Sequence, residues 1–176
     1  MIENSMEPTA EPVSDGTLVD RYVNSGDRDA LGTLLERHGP TAYRATLRVT
    51  GGNAADAEDA VQAGFVDVMN HIHTLKGRDD REIKAWILKV VLNTSKNRIR
   101  QDVRRKRREE KAMANEDILS ESGFSGDGTA EVGSLVKQYL DKLAEHYRLP
   151  IWLHHGEGLP LTEVAEALSL PEGTVR

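Results

Sequence analysis

The chain has 176 residues, 38% of them hydrophobic and 30% charged, with a formal net charge of −6 and no cysteine. That length holds one domain or two small ones, and the lack of cysteine excludes disulfides and thiolate metal ligands and suits a reducing cytoplasm. No apolar run approaches the roughly 20 residues of a membrane span, and the N-terminus lacks the basic and apolar segments of a secretory signal.

Residues 1–14 contain Pro8, Pro12 and three glutamates with few large apolar groups, the composition of a disordered tail. From Asp15 the pattern turns helical: Leu18, Val19, Tyr22 and Val23 share a face, and Ser25-Gly26-Asp27 breaks the run. A second helix carries Ala30, Leu31, Leu34 and Leu35 until Gly39-Pro40 interrupts or bends it. Tyr43, Leu47 and Val49 continue an apolar face up to Gly51-Gly52-Asn53. Asn53 or Asp56 can cap the third helix, and Asp56, Glu58 and Asp59 suit its positive N-terminal end. In that helix Val61, Phe65, Val68 and Ile72 step by four, three and four toward a core, with Asp59, Gln62, Ala63 and Asp67 on the other side. Gly64 within it costs about 1 kcal/mol relative to alanine. His71 and His73, two apart, do not share a helical face and are read as ordinary helix-end residues.

After a loop at Gly77–Asp80, a stretch from Glu82 to Arg108 begins as an amphipathic helix and ends as a basic rod. Ile83, Trp86, Ile87, Val90, Val91 and Thr94 form the side to be buried. Trp86 is expected to anchor it, its loss opening a cavity worth about 3–5 kcal/mol. Opposite them, Lys89, Asn93, Lys96 and Arg100 follow at steps of four, three and four, and Arg104, Arg105, Lys106, Arg107 and Arg108 lie beyond. Cations bind phosphates and amides bind base edges. The acids that alternate with bases on a merely solvated face are missing here. Between Lys96 and Lys111 nine residues are basic and three acidic, so the rest of the chain carries −12. A polyanion responds to that local field rather than to the total.

Residues 111–133 then turn acidic, with Glu116, Asp117, Glu121, Asp127 and Glu131 around a Ser/Gly-rich core, the composition of a flexible linker. Leu135, Val136, Tyr139, Leu140 and Leu143 resume helical spacing, and Pro150 is placed at the start of a short helix with Ile151, Trp152 and Leu153. Gly156-Glu157-Gly158 turns the chain, and Pro160 to Leu168 forms a helix with Leu161, Val164, Ala165 and Leu168 inward. Ser169-Leu170-Pro171 turns it into Glu172-Gly173-Thr174-Val175-Arg176, a helix-turn-helix pattern whose second helix has about one turn. No strand alternation, catalytic set or glycine-rich phosphate loop is found, and His154-His155 is read as packing or capping, so neither enzyme, cofactor nor metal is expected.

Three blocks together resemble the extracytoplasmic-function sigma factors, small promoter-recognition subunits of bacterial RNA polymerase. Asp56-Ala57-Glu58-Asp59-Ala60-Val61-Gln62, with Phe65, resembles the block that grips the β′ clamp helices. Ala85-Trp86-Ile87-Leu88 through Asn93-Thr94-Ser95-Lys96-Asn97 and the basic run resembles the block that opens and reads the minus-ten element. Gly158 to Leu168 with Pro171 to Arg176 resembles the block that reads the minus-thirty-five element. The resemblance implies an all-α chain of two small helical domains, residues 15–110 (region 2) and 134–176 (region 4), joined by the flexible linker 111–133. It implies a cytoplasmic factor that directs core polymerase to promoters, with the β′ clamp helices and β flap, promoter DNA and an anti-sigma protein as partners.

Carried onto this sequence, the implied DNA-binding residues are Lys89, Asn93, Lys96, Asn97, Arg100, Arg104, Arg105, Arg107, Arg108, Thr174 and Arg176, and the polymerase-binding residues Asp59, Gln62, Ala63 and Asp67. Two departures stand out. Ala63-Gly64 sits where an acidic residue and Thr or Val are common, which loosens the presenting helix, and Asp67 sits where a basic residue is common. Family members continue past the equivalent of Arg176, so the recognition helix reads as truncated. The alternative is a stand-alone helix-turn-helix regulator or adaptor that kept the fold.

Overall fold

Side-chain caps and left-handed residues set several helix ends in the structure, a computed structural model that describes residues 13–75, 79–112, 139–140, 143 and 145–175. The helices are α1 (Asp15–Ser25), α2 (Arg28–Val49), α3 (Ala54–His71), α4 (Asp80–Ala112), α5 (Glu145–Ile151), α6 (Leu161–Leu168) and α7 (Glu172–Val175). A 3-10 turn, Ile72–Thr74, follows α3 and a π-helical turn, Trp152–Gly156, follows α5. There is no strand among the described residues. The tail expected over 1–14 lies outside the described residues up to position 12, and Ser14 belongs to the fold: its side chain accepts from the Thr17 amide and caps α1. The linker expected at 111–133 lies outside them beyond Ala112, the last residue of α4.

Most boundaries follow local chemistry. Gly26 ends α1 in the left-handed region at φ 70, and Asp27 starts α2 by accepting from the Asp29 and Ala30 amides. Asn53, rather than Asp56, caps α3: its Oδ1 accepts from the Asp56 amide and its Nδ2 donates to the Asp56 carboxylate. Both prolines lie inside helices. Pro40 does not end α2, and Pro150 lies inside α5 rather than at its start. A helical proline frees the carbonyl four residues back. Here those carbonyls belong to Glu36 and His146, both exposed residues within reach of solvent, and the helices continue.

The core is built around α4, which packs on α2 and α3 and also carries α6. Ile83, Ala85, Ile87, Leu88, Val91 and Leu92 of α4 are buried. They share one apolar cluster with Leu18, Leu34, Ala42, Val61 and Val68 from the N-terminal helices, and with Leu149, Leu153, Leu159, Val164 and Leu168 from the C-terminal part. Trp86 is only partly buried, packed against the edge of this cluster, so the anchor expected there is carried by the aliphatic residues beside it. Gly64 has a packing role that the sequence does not display. It is the buried point where α3 crosses α4, and a Cβ built on it would lie 2.9 Å from the Val91 Cα.

A buried polar hub fixes how α1, α2 and α4 meet. Asp15, 2% exposed, pairs through one oxygen with His38 Nε2 at 2.6 Å and through the other with the Arg37 guanidinium. The Asp80 carboxylate accepts from the backbone amides of Asp15 (2.8 Å) and Gly16 (3.3 Å), which ties the start of α1 to the start of α4. Burial holds the His38 pKa below its ordinary value, against the opposing pull of Asp15.

Candidate nucleic-acid interface

Beyond its buried half, α4 continues as a helix to Ala112 without a break, 33 residues in all. Asn93, Asn97, Arg100, Arg104 and Arg108 step along it by four, three, four and four, and all five are exposed. At 1.5 Å per residue the stripe is about 22 Å long. A helix that buries several apolar sides in its first half and presents only amides and guanidiniums on its outer stripe can lay hydrogen bonds and positive charge along a nucleic-acid strand. Arg105 is also exposed and reaches back to Asp102 at 3.2 Å, while Arg108 Nε donates to the Arg104 carbonyl at 3.2 Å. Thr174, in the four-residue α7, is exposed. The Arg107 side chain and Arg176 lie outside the described residues.

Two members of the sequence-derived set behave differently. Lys89 and Lys96 are partly buried on the flank of α4 that carries α6. Lys89 Nζ lies 3.8 Å from Glu166 of α6, and Lys96 lines a cleft of about 320 Å³ with His146, Leu149, Pro150, Leu168 and Leu170. The outer stripe stays open while its flanking cations face the C-terminal helices.

The residues expected to meet a protein partner lie on α3, next to α4. Asp59 is exposed and sits 3.7 Å from Arg98 of α4. Asp67 is turned inward, accepting from Thr94 Oγ1 at 2.6 Å, so its carboxylate joins α3 to α4. Gln62 is exposed and Ala63 partly so. Sequence reasoning missed the apolar pair beside them. Val66 (53% exposed) and Met69 (42%) follow Gln62 at steps of four and three on the outer face. Unburied Val and Met on an otherwise polar stripe were the available signal. Such a stripe suits a partner surface with a small apolar centre.

Two of the histidines set aside in the sequence make local backbone bonds: His71 Nδ1 lies 2.8 Å from the Asp67 carbonyl and His154 Nδ1 lies 2.7 Å from the Leu159 carbonyl. Facing α2 across the fold, Glu157 accepts from Arg44 Nε (2.7 Å), Arg44 Nη2 (2.8 Å) and Thr41 Oγ1 (3.0 Å). Burial alone would raise the Glu157 pKa, but the hydrogen bonds from Arg44 and Thr41 outweigh it and hold the carboxyl below its ordinary range.

Comparison with known families places these elements. Residues 34–105 match the family described as Sigma-70 region 2, and residues 134–176 match Sigma-70, region 4. The chain is 29% identical over 182 residues to the ECF RNA polymerase sigma-E factor of Haemophilus influenzae, covering 95% of this chain and 90% of that protein. It is 26% identical over 164 residues to the ECF RNA polymerase sigma factor SigW of Bacillus subtilis, covering 89% and 86%. Among solved structures, CnrH in complex with the cytosolic domain of CnrY superposes with a TM-score of 0.60 at 24% identity over 92% of this chain and 86% of that one, a likeness of fold.

Proposed function

The chain belongs to the extracytoplasmic-function sigma factor family, and from that premise we propose that α4 reads and holds the promoter strand while the outer face of α3 docks on core polymerase. As a member of that family the chain directs core RNA polymerase to promoters and starts transcription there. We read it as an initiation factor with no reaction of its own, acting in the cytoplasm. No helix among the described residues is long and apolar enough to cross a membrane. A restraining anti-sigma protein belongs to the same proposal, supported by the fold likeness to CnrH, whose structure holds the cytosolic domain of CnrY.

One observation carries the DNA assignment: the exposed stripe Asn93, Asn97, Arg100, Arg104, Arg108 on a single helix whose first half is packed in the core. The amides and the guanidiniums are expected to fail differently. Arg104→Ala or Arg108→Ala should weaken promoter binding for all sequences alike and lower the salt slope by about one unit per lost phosphate contact. Asn93→Ala or Asn97→Ala should leave the slope alone and cost roughly 1–3 kcal/mol of base discrimination where a bidentate contact is lost. Binding by reconstituted holoenzyme over a salt series, with matched and mismatched minus-ten sequences, measures both. Asparagine changes that alter neither affinity nor base preference would reduce this face to a solvated surface.

The docking half is tested separately. The Val66 side chain is outside the core, so Val66→Arg should leave circular dichroism unchanged. It places a long cation in the apolar centre of the stripe and should weaken binding to purified core polymerase by roughly tenfold or more, about 1.4 kcal/mol. Unchanged core binding moves the docking surface off Gln62, Ala63, Val66 and Met69. The sequence-derived carboxylates enter this proposal unequally: Asp59 is available at its edge, whereas Asp67 acts by holding α3 to α4.

A further inference from the structure

Between the end of α2, the start of α3 and the second half of α4 lies a cavity of about 330 Å³, at the small end of protein ligand pockets. Val49, Ala60, Ile99 and Val103 give it apolar walls. Val103 is 44% exposed, an apolar residue left in water within the basic run. Three carboxylates, Asp56, Asp59 and Asp102, line the same cavity against one guanidinium, Arg98. All three are exposed and loosely held. Asp59 lies 3.7 Å from Arg98, Asp102 lies 3.2 Å from Arg105, and Asp56 accepts from Asn53 Nδ2 at 2.7 Å. Exposed ion pairs of this kind are weak, so an incoming cation can take their place.

Apolar walls with carboxylates beside them match one kind of side chain. Lysine and arginine lay a methylene stem on apolar surface and carry a cation at the tip. Phosphate is repelled by the same carboxylates, and the placement agrees: Asp102 lies nine residues beyond Asn93, about two and a half helical turns, hence on the opposite side of α4 from the stripe. The occupant is therefore a protein side chain. Asp59 connects the cavity to the outer face of α3, preceding Gln62 by three positions and Ala63 by four. That face carries no charge of its own, since Gln62, Ala63, Val66 and Met69 are neutral and the Asp67 carboxylate accepts from Thr94. We propose that the cavity is a socket for one lysine or arginine side chain of core polymerase, and that Asp102 of α4, together with Asp56 and Asp59, supplies the charge recognition the α3 face lacks. The proposal rests on the reading of that face as the docking surface. It spreads docking over three helices and gives Asp102 and Val103, which the DNA stripe does not use, a part in it.

Binding of the full chain to purified core polymerase, with no DNA present, tests the socket. The chain has no cysteine, so a dye on Asn24→Cys, an exposed position of α1, reports the complex by anisotropy. Asp102→Lys fills the socket with a tethered cation and should weaken binding roughly tenfold or more. Asp102→Asn keeps the shape and removes the charge; it should weaken binding roughly two- to fivefold and flatten its salt dependence. Glu36→Lys makes the same change of net charge as Asp102→Lys at an exposed site of α2 that does not line the cavity, and should leave binding within about twofold. Both positions are exposed, so circular dichroism should match the parent. Equal losses in Asp102→Lys and Glu36→Lys overturn the socket, because net charge then explains both. Unchanged binding in Asp102→Lys overturns it, and so does tighter binding, which assigns the cavity an acidic occupant. Val66→Arg separates this from the docking reading. A loss there with none in Asp102→Lys keeps the α3 face and removes the socket, whereas a loss in Asp102→Lys alone keeps the socket and moves docking onto it.

Discussion

Gly64→Ala should destabilise the protein by about 1–3 kcal/mol, the cost of overpacking a filled core. Helix propensity alone predicts the opposite sign, because alanine is better than glycine inside a helix by about 1 kcal/mol. The geometry decides between them. The added Cβ would lie 2.9 Å from Val91 Cα, 3.0 Å from Val91 Cγ2 and 3.1 Å from Val91 Cβ. A flexible side-chain end can turn away, but Cα belongs to the backbone of α4, which is packed on several sides. The two helices must therefore separate, and the Thr94–Asp67 bond of 2.6 Å bridging the same pair is stretched with them. Urea or thermal unfolding measures the effect; in a chain of this size each kcal/mol moves the melting temperature by about 2–4 °C. Val91→Ala in the same molecule should restore only part of the loss, since it removes Cγ2 and leaves Cα in place. A Gly64→Ala protein as stable as the parent would mean that the crossing has slack that the packing does not display.

Ile87→Ala should cost about 2–5 kcal/mol, the usual range for emptying a fully buried aliphatic site. Ile87 is 0% exposed and sits in the cluster shared by the N-terminal and C-terminal helices. Against a total stability of about 5–15 kcal/mol for a typical domain, that loss moves a large share of molecules toward unfolding at physiological temperature. Trp86→Ala removes more atoms yet should cost less, because its ring lies at the edge of the cluster, where water can occupy part of the space left behind. The sequence alone suggests the reverse ranking. Matched urea titrations of the two variants decide it, and a costlier Trp86→Ala would put the tryptophan back at the centre of the fold.

Local chemistry made much of this architecture readable. Ser25-Gly26-Asp27 announces a helix end and the next cap, Asn53 announces α3, and the stepped cations of α4 announce a charged face. What stayed hidden depends on residues far apart in the chain. Arg44 and Glu157 are separated by 113 positions and Asp15 and His38 by 23, and neither pair leaves a periodic trace. Gly64 read as a weak point because its partner, Val91, belongs to another helix. Pro40 read as an interruption or a bend because exposure of the residue four positions back is a property of the folded surface. For the candidate site, the outer stripe was legible as a pattern of types. The division that leaves Asn93 and Asn97 open and places Lys89 and Lys96 at the seam was not, since it depends on where α6 comes to rest.

The uninterrupted course of α4 has a mechanical consequence. The same rigid rod that fills the centre of the core also holds the arginines at its far end, with no hinge residue between Ile83 and Arg108. From Thr94 to Arg108 the rod runs about 21 Å, its near part still against α2 and α3 through Ser95 and Arg98. A tilt of about 10° at its packed root therefore swings the tip by roughly 4 Å, more than the length of a hydrogen bond. The protein works as a lever whose fulcrum is the Gly64–Val91 crossing. A change of packing volume at that crossing, with every residue of the proposed DNA stripe left as it is, would re-aim the whole row of guanidiniums.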